Sequence, residues 1–295
     1  MNYILSDVFT DRPFGGNPLA VFPEADGASE GLMQAIAGEL NISECVFVFR
    51  PADPAHAARL RIFTPRMELP FAGHPTVGTV CTLLRIGRID EGQTVFEENV
   101  GPIEVHARNE RHRFFGQFTA RQPATVREDV APLQILADVL SLGADDIVQD
   151  ELRPLAVSAG VPFMVIPVRN RAALARAQIN AEVWNRTFAD TWAPHFYIVT
   201  TESELPGSSL RARMFAPAMG ITEDPATGGA VTALPAYLQA CGVTEQTSWR
   251  VEQGFEMGRP SLMDVSVERQ DNRIAAVHVG GETVFIGSGV IDVRQ

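Results

Sequence analysis

A carboxylate stands at the mouth of an apolar strand near the start of the chain. In LNISECVFVF, residues 40–49, Ser43 and Glu44 come directly before five uncharged residues. Burial at such a position raises the pKa of a glutamic acid, which suits a general acid or base. Successive strand side chains point to opposite faces, so we expect Cys45 to be buried structure. The alternative is that Glu44 is an ordinary solvated charge at a strand edge.

Two similar corners supply the other candidate residues. The first corner reads FAGHPT, residues 71–76, and the second reads TEDPATGG, residues 222–229; an apolar stretch follows each of them. Proline is favoured at the first position of a helix because its missing N–H costs nothing there. We therefore predict that Pro75 and Pro225 begin helices. His74 and Asp224 would then be the N-cap residues.

The glycines of the corners, Gly73, Gly228 and Gly229, allow backbone amides to approach a ligand closely. A helix N-terminus offers free N–H groups and the positive end of the helix dipole. If the two halves face each other, two such ends converge on one cleft and bind a carboxylate or phosphate. The plainer interpretations are that Asp224 only caps its helix and that His74 is a core histidine bonded to a carbonyl.

The elements that must position these residues occur twice in the same order. In each half two strands lead into the corner and an apolar helix follows; we predict them at 44–50, 58–65 and 76–87, and at 195–201, 210–217 and 230–242. A further helix is predicted at 30–40, closed by Asn41 in left-handed geometry. The helices that follow the corners are apolar nearly all round, which indicates burial.

This repetition predicts an α+β fold of two pseudosymmetric domains, each a mostly antiparallel sheet or barrel around a central helix. The predicted domains are residues 1–120 and 130–295, separated by a polar, proline-containing stretch. Whether the extreme C-terminal strand joins the first domain stays open. The alternative is a single α/β domain with accidental similarities.

Composition and missing motifs exclude several classes of chemistry. All 24 basic residues are arginine, so Schiff-base enzymes and Walker A sites, which need lysine, are excluded. A net charge of −12 argues against nucleic acid and membranes as partners. The chain has no HExxH, CxxC or GxGxxG motif, so we expect neither a metal nor a cofactor.

The three cysteines, Cys45, Cys81 and Cys241, are scattered along the chain and form no paired spacing. They are typical of reduced thiols in an intracellular protein. The sequence shows no signal peptide and no long uncharged apolar run. We therefore expect a cytoplasmic location.

Taken in order, five motifs resemble the PhzF-like family of phenazine biosynthesis proteins. They are DVFTDRPFGGNPLAVF, NISE, FTPRMELPFAGHPT, EDPATGGA and QGFEMGRPS, and they span nearly the whole chain. The resemblance implies a diaminopimelate epimerase-like fold, a homodimer and an active site between two domains. It places the acid/base glutamate on Glu44. The other cleft residues that it implies are Ser43, Gly73, His74, Asp224 and Gly228.

The resulting hypothesis is a cofactor-independent isomerase of a small carboxylate-bearing metabolite. Glu44 would remove a proton and return it at another position, while His74 and Asp224 orient the substrate. The glycine amides of the two corners would bind the substrate carboxylate. Cysteine-dependent racemases of this fold use a thiol in each domain, whereas both corners of this chain lack cysteine.

The second corner departs from the pattern that the family commonly shows. It reads ATGGA where the family commonly has ATGSA, so Gly229 lacks a hydroxyl that could hold a substrate. A catalytically silent binding or regulatory protein therefore stays open as an alternative. A lyase that uses the same proton abstraction is the third possibility.

Overall fold

The computed structural model describes residues 1–271 and 273–293. The chain divides into two compact units. The first contains Met1–Ala120 together with the described residues from His278 onward, and the second contains Arg121–Val277. No helix in the described part of the chain has both the length and the hydropathy that crossing a membrane requires.

The first unit contains eight strands and two helices before the chain enters the second unit. In chain order they are β1 (Asn2–Val8), β2 (Asn17–Phe22), α1 (Glu30–Leu40), β3 (Glu44–Phe49), β4 (Ala58–Phe63), β5 (Glu68–Leu69), α2 (Gly73–Arg85), β6 (Gly92–Glu98), β7 (Gly101–Glu110) and β8 (Arg113–Ala120).

The second unit has the same kind of composition, with additional short helices. In chain order its elements are β9 (Thr125–Arg127), α3 (Leu133–Val139), β10 (Leu155–Ser158), β11 (Pro162–Pro167), α4 (Arg171–Arg176), α5 (Ala181–Thr187), β12 (His195–Thr200), β13 (Leu210–Ala216), β14 (Ile221–Asp224), α6 (Gly228–Ala240), β15 (Ser248–Gln253) and β16 (Ser261–Gln270). The last strand, β17 (Arg273–Val290), begins in the second unit and belongs to the first from His278 onward.

Eight strands of the first unit close into a barrel. Their order is β1–β2–β3–β4–β6–β7–β8–β17, and β17 pairs with β1 to complete the ring. The β2–β3 and β4–β6 pairs are parallel. The other pairs of defined register are antiparallel, which allows short turns between consecutive strands.

Helix α2 is the core of this barrel. Every residue from Gly73 to Leu83 is buried, and the helix packs against β1, β2, β3, β7 and β8. A Cβ atom on Gly78 would lie 2.4 Å from Cδ2 of Leu19, so only glycine lets the helix come this close to β2. Helix α1 instead covers the outer face of the neighbouring strands, where Met33 and Ile36 are buried.

Local signals set the bounds of α1 as the sequence predicts. The Ser29 side chain accepts a hydrogen bond from the Leu32 amide at the start of the helix. At its end Asn41 takes the left-handed conformation, with φ of 47°, and its amide bonds the Ala37 carbonyl. The predicted helix at 30–40 and the prediction that Asn41 closes it are both confirmed.

The second unit repeats the strand arrangement around α6. The β11–β12 and β13–β15 pairs are parallel, while β10–β11, β12–β13 and β15–β16 are antiparallel, as in the first unit. Helix α6 is buried along most of its length and packs on β9, β10, β11 and β16. Helices α3, α4 and α5 cover a separate apolar cluster. The predicted α+β fold, with a central helix in each half, is confirmed.

Candidate active site

Glu44 and His74 meet in the first unit. Glu44 is the first residue of β3, and His74 is the second residue of α2. Nε2 of His74 lies 3.1 Å from Oε2 of Glu44, and the two side chains are only 5% and 12% exposed. The two atoms are within ion-pair distance, but they are not aligned as a hydrogen bond. Catalytic contacts are often loosely aligned until a substrate binds, so this geometry suits a proton-transfer pair.

A hydrogen bond on the side of the His74 ring away from Glu44 determines which ring nitrogen carries the proton. The ring bonds the backbone carbonyl of Pro18, and a carbonyl can only accept a hydrogen bond. Because Nε2 is not the bonded nitrogen, the proton must lie on Nδ1 in the neutral ring. Burial lowers the pKa of His74 to about 3, with the Pro18 bond opposing this effect. A neutral His74 therefore presents the bare Nε2 lone pair to Glu44.

The strand alternation next to Glu44 agrees with the expectation from the sequence. Cys45 is buried in the cluster under α1 with Phe47 and Phe63. Burial raises the pKa of its thiol to about 12, and the nearby Glu44 contributes in the same direction. A thiol with this pKa is a poor nucleophile at neutral pH. Cys45 is therefore structural, as predicted.

The predicted helix caps are wrong in both corners. Helix α2 begins at Gly73 after Ala72, so His74 and Pro75 lie inside its first turn. This early start places His74 in the buried first turn rather than at a cap. Gly73 is buried at the helix start, and Ser43 is partly buried just before β3.

In the second corner Asp224 ends β14, and α6 begins only at Gly228, after Thr227. Asp224 is therefore not a cap, and Pro225 precedes the helix. Oδ2 of Asp224 accepts a hydrogen bond of 2.6 Å from the Thr227 hydroxyl. The side-chain amide of Gln253 donates to the Asp224 carbonyl at 2.7 Å and to the Thr227 hydroxyl at 2.9 Å. These bonds hold Asp224 beside the start of α6.

Gly228 and Gly229 are the first two residues of α6. The first N–H groups of a helix have no partner within the helix, so these glycines can present their amides to an anion. Gly228 is buried, while Gly229 is partly exposed. A Cβ atom on Gly229 would have a single near neighbour, Cε2 of Phe163 at 3.9 Å. The position therefore has room for a serine side chain.

An arginine–glutamate pair anchors the segment before each central helix, which sequence reasoning missed. Arg61 binds Glu68 through two hydrogen bonds of 2.8 and 2.6 Å. Arg213 binds Glu223 in the same way, with two bonds of 2.8 Å. In both units the arginine also lies over a phenylalanine two residues along the strand. The paired residues fix β5 on β4 and β14 on β13, immediately ahead of the two corners.

His195 is a second residue that the sequence did not single out. It is the first residue of β12 and pairs with Phe163, just as Glu44 begins β3 and pairs with Leu19. His195 therefore takes the position of Glu44 in the second unit. It is buried, which lowers its pKa to about 4, and its Nδ1 has no hydrogen-bond partner among the described residues. The signal in the sequence was the position of His195 at the start of an apolar strand, which repeats the position of Glu44 in the first half.

A polar cavity of about 490 Å³ lies elsewhere in the second unit. Its lining includes Arg171, Arg211, Glu204 and Glu256, and both arginines are already ion-paired with these glutamates. None of the candidate site residues lines it. Within the described residues, no group of three or more His, Cys, Asp and Glu side chains is arranged to hold a metal ion.

Known proteins resemble this chain over its whole length. An uncharacterized isomerase of Mesorhizobium japonicum is 38% identical over 296 residues, covering 98% of this chain and 97% of that protein. The trans-2,3-dihydro-3-hydroxyanthranilate isomerase of Pseudomonas chlororaphis is 33% identical over 292 residues, covering 98% and 99%. The crystal structure of a PhzF-family phenazine biosynthesis protein from Bacillus anthracis has a TM-score of 0.90 at 24% identity, covering 99% of each chain.

The names of these relatives support an isomerase. The sequence profile of the PhzC-PhzF family, described as phenazine biosynthesis-like protein, matches residues 6–289. This match includes both corners, the start of β3 and both central helices. The chain belongs to the PhzC/PhzF family of phenazine biosynthesis-like proteins.

Proposed function

We propose that this protein is a metal- and cofactor-independent isomerase that moves a proton on a small carboxylate-bearing metabolite. Glu44 is the proposed acid/base group. The observation that carries the proposal is the contact between Glu44 and His74, in which a buried carboxyl group faces the bare nitrogen of a neutral imidazole. Isomerase names among relatives that align over the whole chain support the same class of reaction.

In the proposed reaction Glu44 acts twice. Its carboxylate removes a proton from a carbon of the substrate, and the electron pair of the broken C–H bond moves into the substrate's π system. The carboxylic acid formed on Glu44 then returns the proton to a different carbon, which leaves the enzyme unchanged and the substrate isomerised. Between these steps the acid form of Glu44 can donate to Nε2 of His74, which keeps the proton in place.

The helix starts supply the electrostatic part of the proposal. Negative charge develops on the substrate when the proton leaves, and backbone N–H groups aimed at that charge stabilise it. The amides of Gly73 and His74 open α2, and those of Gly228 and Gly229 open α6. We assign these amides to the substrate carboxylate and to the charge that develops. Asp224 is assigned to orienting the substrate.

Deuterium incorporation tests the proposal directly. The protein is incubated in deuterated water with trans-2,3-dihydro-3-hydroxyanthranilate, the substrate named for a relative, and with other small cyclic carboxylates. We expect the wild-type protein to place deuterium on a substrate carbon. Glu44→Gln should lose this activity by about 10²-fold or more while ligand binding persists. An unchanged rate in Glu44→Gln would contradict the proposed mechanism.

A matched control separates chemistry from loss of charge. Glu39 is exposed on α1, so Glu39→Gln removes one negative charge at a position outside both β3 and α2. This variant should keep the wild-type rate. Asp224→Asn, measured alongside, tests whether the second corner serves the same reaction: the proposal requires it to lose activity as well.

The glycine at position 229, where the family commonly has serine, is the reason to test for a second function. A ligand that binds without any carbon-bound deuterium, across the substrate series, would favour a silent binding protein. A product whose mass differs from the substrate by one water molecule would favour a lyase. An isomerase leaves the mass unchanged apart from the deuterium.

A further inference from the structure

A buried carboxyl group that the proposed reaction does not use lies beside the start of α2. Glu98 is the last residue of β6 and is 7% exposed. Its Oε1 lies 2.7 Å from the hydroxyl of Thr76, in the first turn of α2 and two residues after His74. Its Oε2 has no hydrogen-bond partner among the described residues. Thr76 therefore supplies the side-chain hydrogen bond that links Glu98 to the start of α2.

Counting protons around Thr76 gives the protonation state of Glu98. The Thr76 hydroxyl oxygen lies 2.7 Å from Oε1 of Glu98 and also 2.7 Å from the carbonyl oxygen of Ala72. A hydroxyl has one proton, and a carbonyl has none to give. If Glu98 were a carboxylate, one of these two short contacts would join two lone pairs. Both contacts are hydrogen bonds only if Glu98 carries a proton and donates it to Thr76, which then donates to Ala72.

The second unit has the same arrangement with an amide in place of the acid. Gln253 ends β15, which lies parallel to β13 as β6 lies parallel to β4. The Gln253 amide donates to the Thr227 hydroxyl at 2.9 Å, and that hydroxyl donates to Asp224. A neutral donor at the strand end therefore orients a hydroxyl at the start of each central helix. Glutamine is the permanent neutral isostere of a protonated glutamic acid.

The surroundings of Glu98 favour the neutral form. Burial raises the pKa of Glu98 to about 8, and the hydrogen bond with Thr76 partly opposes this shift. The titratable groups on the neighbouring elements have other partners. Glu97 of β6 bonds the Ala52 and Asp53 amides and His56, Glu68 of β5 bonds Arg61 and Asn99, and His74 of α2 bonds Pro18 and contacts Glu44.

We propose that Glu98 is a neutral carboxylic acid in the resting protein and a positioning residue for the site. It holds the first turn of α2, with Gly73 and His74, through the chain of bonds to Thr76 and Ala72. Ionisation at alkaline pH removes the donated proton and breaks this chain, so the site is switched off through a group that the proposed reaction does not use. The effect on turnover rests on the proposed isomerase function, whereas the protonation state does not.

The protonation state is measured first, without any substrate. The infrared spectrum of the full chain in deuterated buffer is compared between wild type and Glu98→Gln across a pH series. We expect a neutral carboxylic acid band in the wild type near neutral pH that is absent from Glu98→Gln and disappears at alkaline pH. Identical carboxylic acid bands in the two proteins would overturn the proposal.

Glu97→Gln is the matched spectroscopic control. Glu97 is the preceding residue on the same strand, and hydrogen bonds from the Ala52 and Asp53 amides lower its pKa to about 2. It is ionised near neutral pH, so its replacement must leave the neutral-acid band in place. Loss of the band in this variant, or a Glu98→Gln protein that fails to fold while Glu97→Gln folds, would also overturn the proposal.

The pH dependence of deuterium exchange into the substrate then tests positioning. Glu98→Gln should keep a near-wild-type rate at neutral pH and retain activity at alkaline pH where the wild type loses it. Glu98→Leu cannot donate to Thr76, and we expect its rate to fall by about 10²-fold, as a displacement of about 1 Å can cause. A Glu98→Gln profile that follows the wild type across the alkaline range would contradict the switch. Absence of exchange in every protein would concern the proposed function and would leave the infrared result standing.

Discussion

Arg213 holds Glu223 through two parallel hydrogen bonds, Nε to Oε1 and Nη2 to Oε2, each 2.8 Å long. The Arg213 guanidinium also donates to the carbonyls of Leu174 and Ala177 at 2.9 and 2.8 Å. Its side chain is 8% exposed, whereas that of Arg61 in the corresponding pair is 20% exposed. The two pairs thus have the same geometry at different depths, which makes them a matched test of what such a pair contributes.

Arg213→Leu should lower the free energy of unfolding by about 3 kcal/mol, because it leaves the Glu223 carboxylate without its cation in a buried place. Arg61→Leu should cost less, since Glu68 stays nearer to water. Urea unfolding at neutral pH measures both. The double variant Arg213→Leu, Glu223→Leu should recover part of the loss. A larger loss in Arg61→Leu than in Arg213→Leu would contradict this account.

Glu98 should also make stability depend on pH. Its pKa is about 8 in the folded protein against an ordinary value of 4.5, so the folded state binds this proton more tightly than the unfolded chain. The stabilisation is complete below 4.5 and is lost as the pH rises through about 8. As the pH rises between these two values, the loss of this stabilisation lowers the free energy of unfolding by at most about 1.4 kcal/mol per pH unit. Glu98→Gln should remove this component. Denaturation curves measured at about pH 5 and about pH 8 should therefore show that Glu98→Gln gains stability relative to the wild type as the pH rises. Parallel wild-type and variant trends would contradict this prediction.

Two helix glycines should respond in opposite ways to a larger side chain. Gly229→Ser finds its nearest neighbour at 3.9 Å and gains helix propensity, so its stability should hold or rise by about 0.5 kcal/mol. Gly78→Ala would bring a Cβ atom within 2.4 Å of Leu19 and 2.6 Å of Val8, and overpacking of this kind costs about 1–3 kcal/mol. Thermal unfolding separates the two. If Gly229→Ser also binds trans-2,3-dihydro-3-hydroxyanthranilate more tightly, the missing hydroxyl determines substrate choice.

Replacing the thiol next to Glu44 should leave chemistry intact. Cys45→Ala removes a buried sulfur atom and should cost about 1 kcal/mol of stability. The deuterium exchange rate should remain close to that of the wild type, in contrast to Glu44→Gln. In the wild type, Cys45 should react with an alkylating reagent much more slowly than the partly exposed Cys241. Loss of exchange in a folded Cys45→Ala protein would transfer the proposed role from the carboxylate to the thiol.

Local patterns were enough to predict much of the scaffold. The bounds of α1 follow from Ser29 and Asn41, which act on the residues next to them in the chain. Strand alternation is also local, so the sequence predicted that Cys45 faces away from Glu44. The duplicated order of strands and central helices was visible because each half repeats the same apolar pattern.

Residues whose roles depend on distant contacts were missed or misplaced. Pro75 and Pro225 suggested two equivalent helix starts, yet α2 begins before its proline and α6 begins after its own. The second start depends on Gln253, which bonds Thr227 from a strand far along the chain. Glu98 was not singled out from the sequence, because nothing in its neighbourhood along the chain reveals its contact with Thr76. The roles of the candidate site residues in catalysis remain predictions.

The route of β17 has a consequence for how the protein is made. The barrel of the first unit closes only when β17 pairs with β1 and β8, and that part of the chain follows the entire second unit. During translation, the second unit can therefore complete its strands while the first still has an open edge between β1 and β8. The ring around His74 and Glu44 is completed late, because the part of β17 that closes it follows the whole of the second unit. A nascent chain stalled before β17 would carry Glu44 and His74 in an unfinished barrel, so the proposed activity should emerge only after β17 has been added.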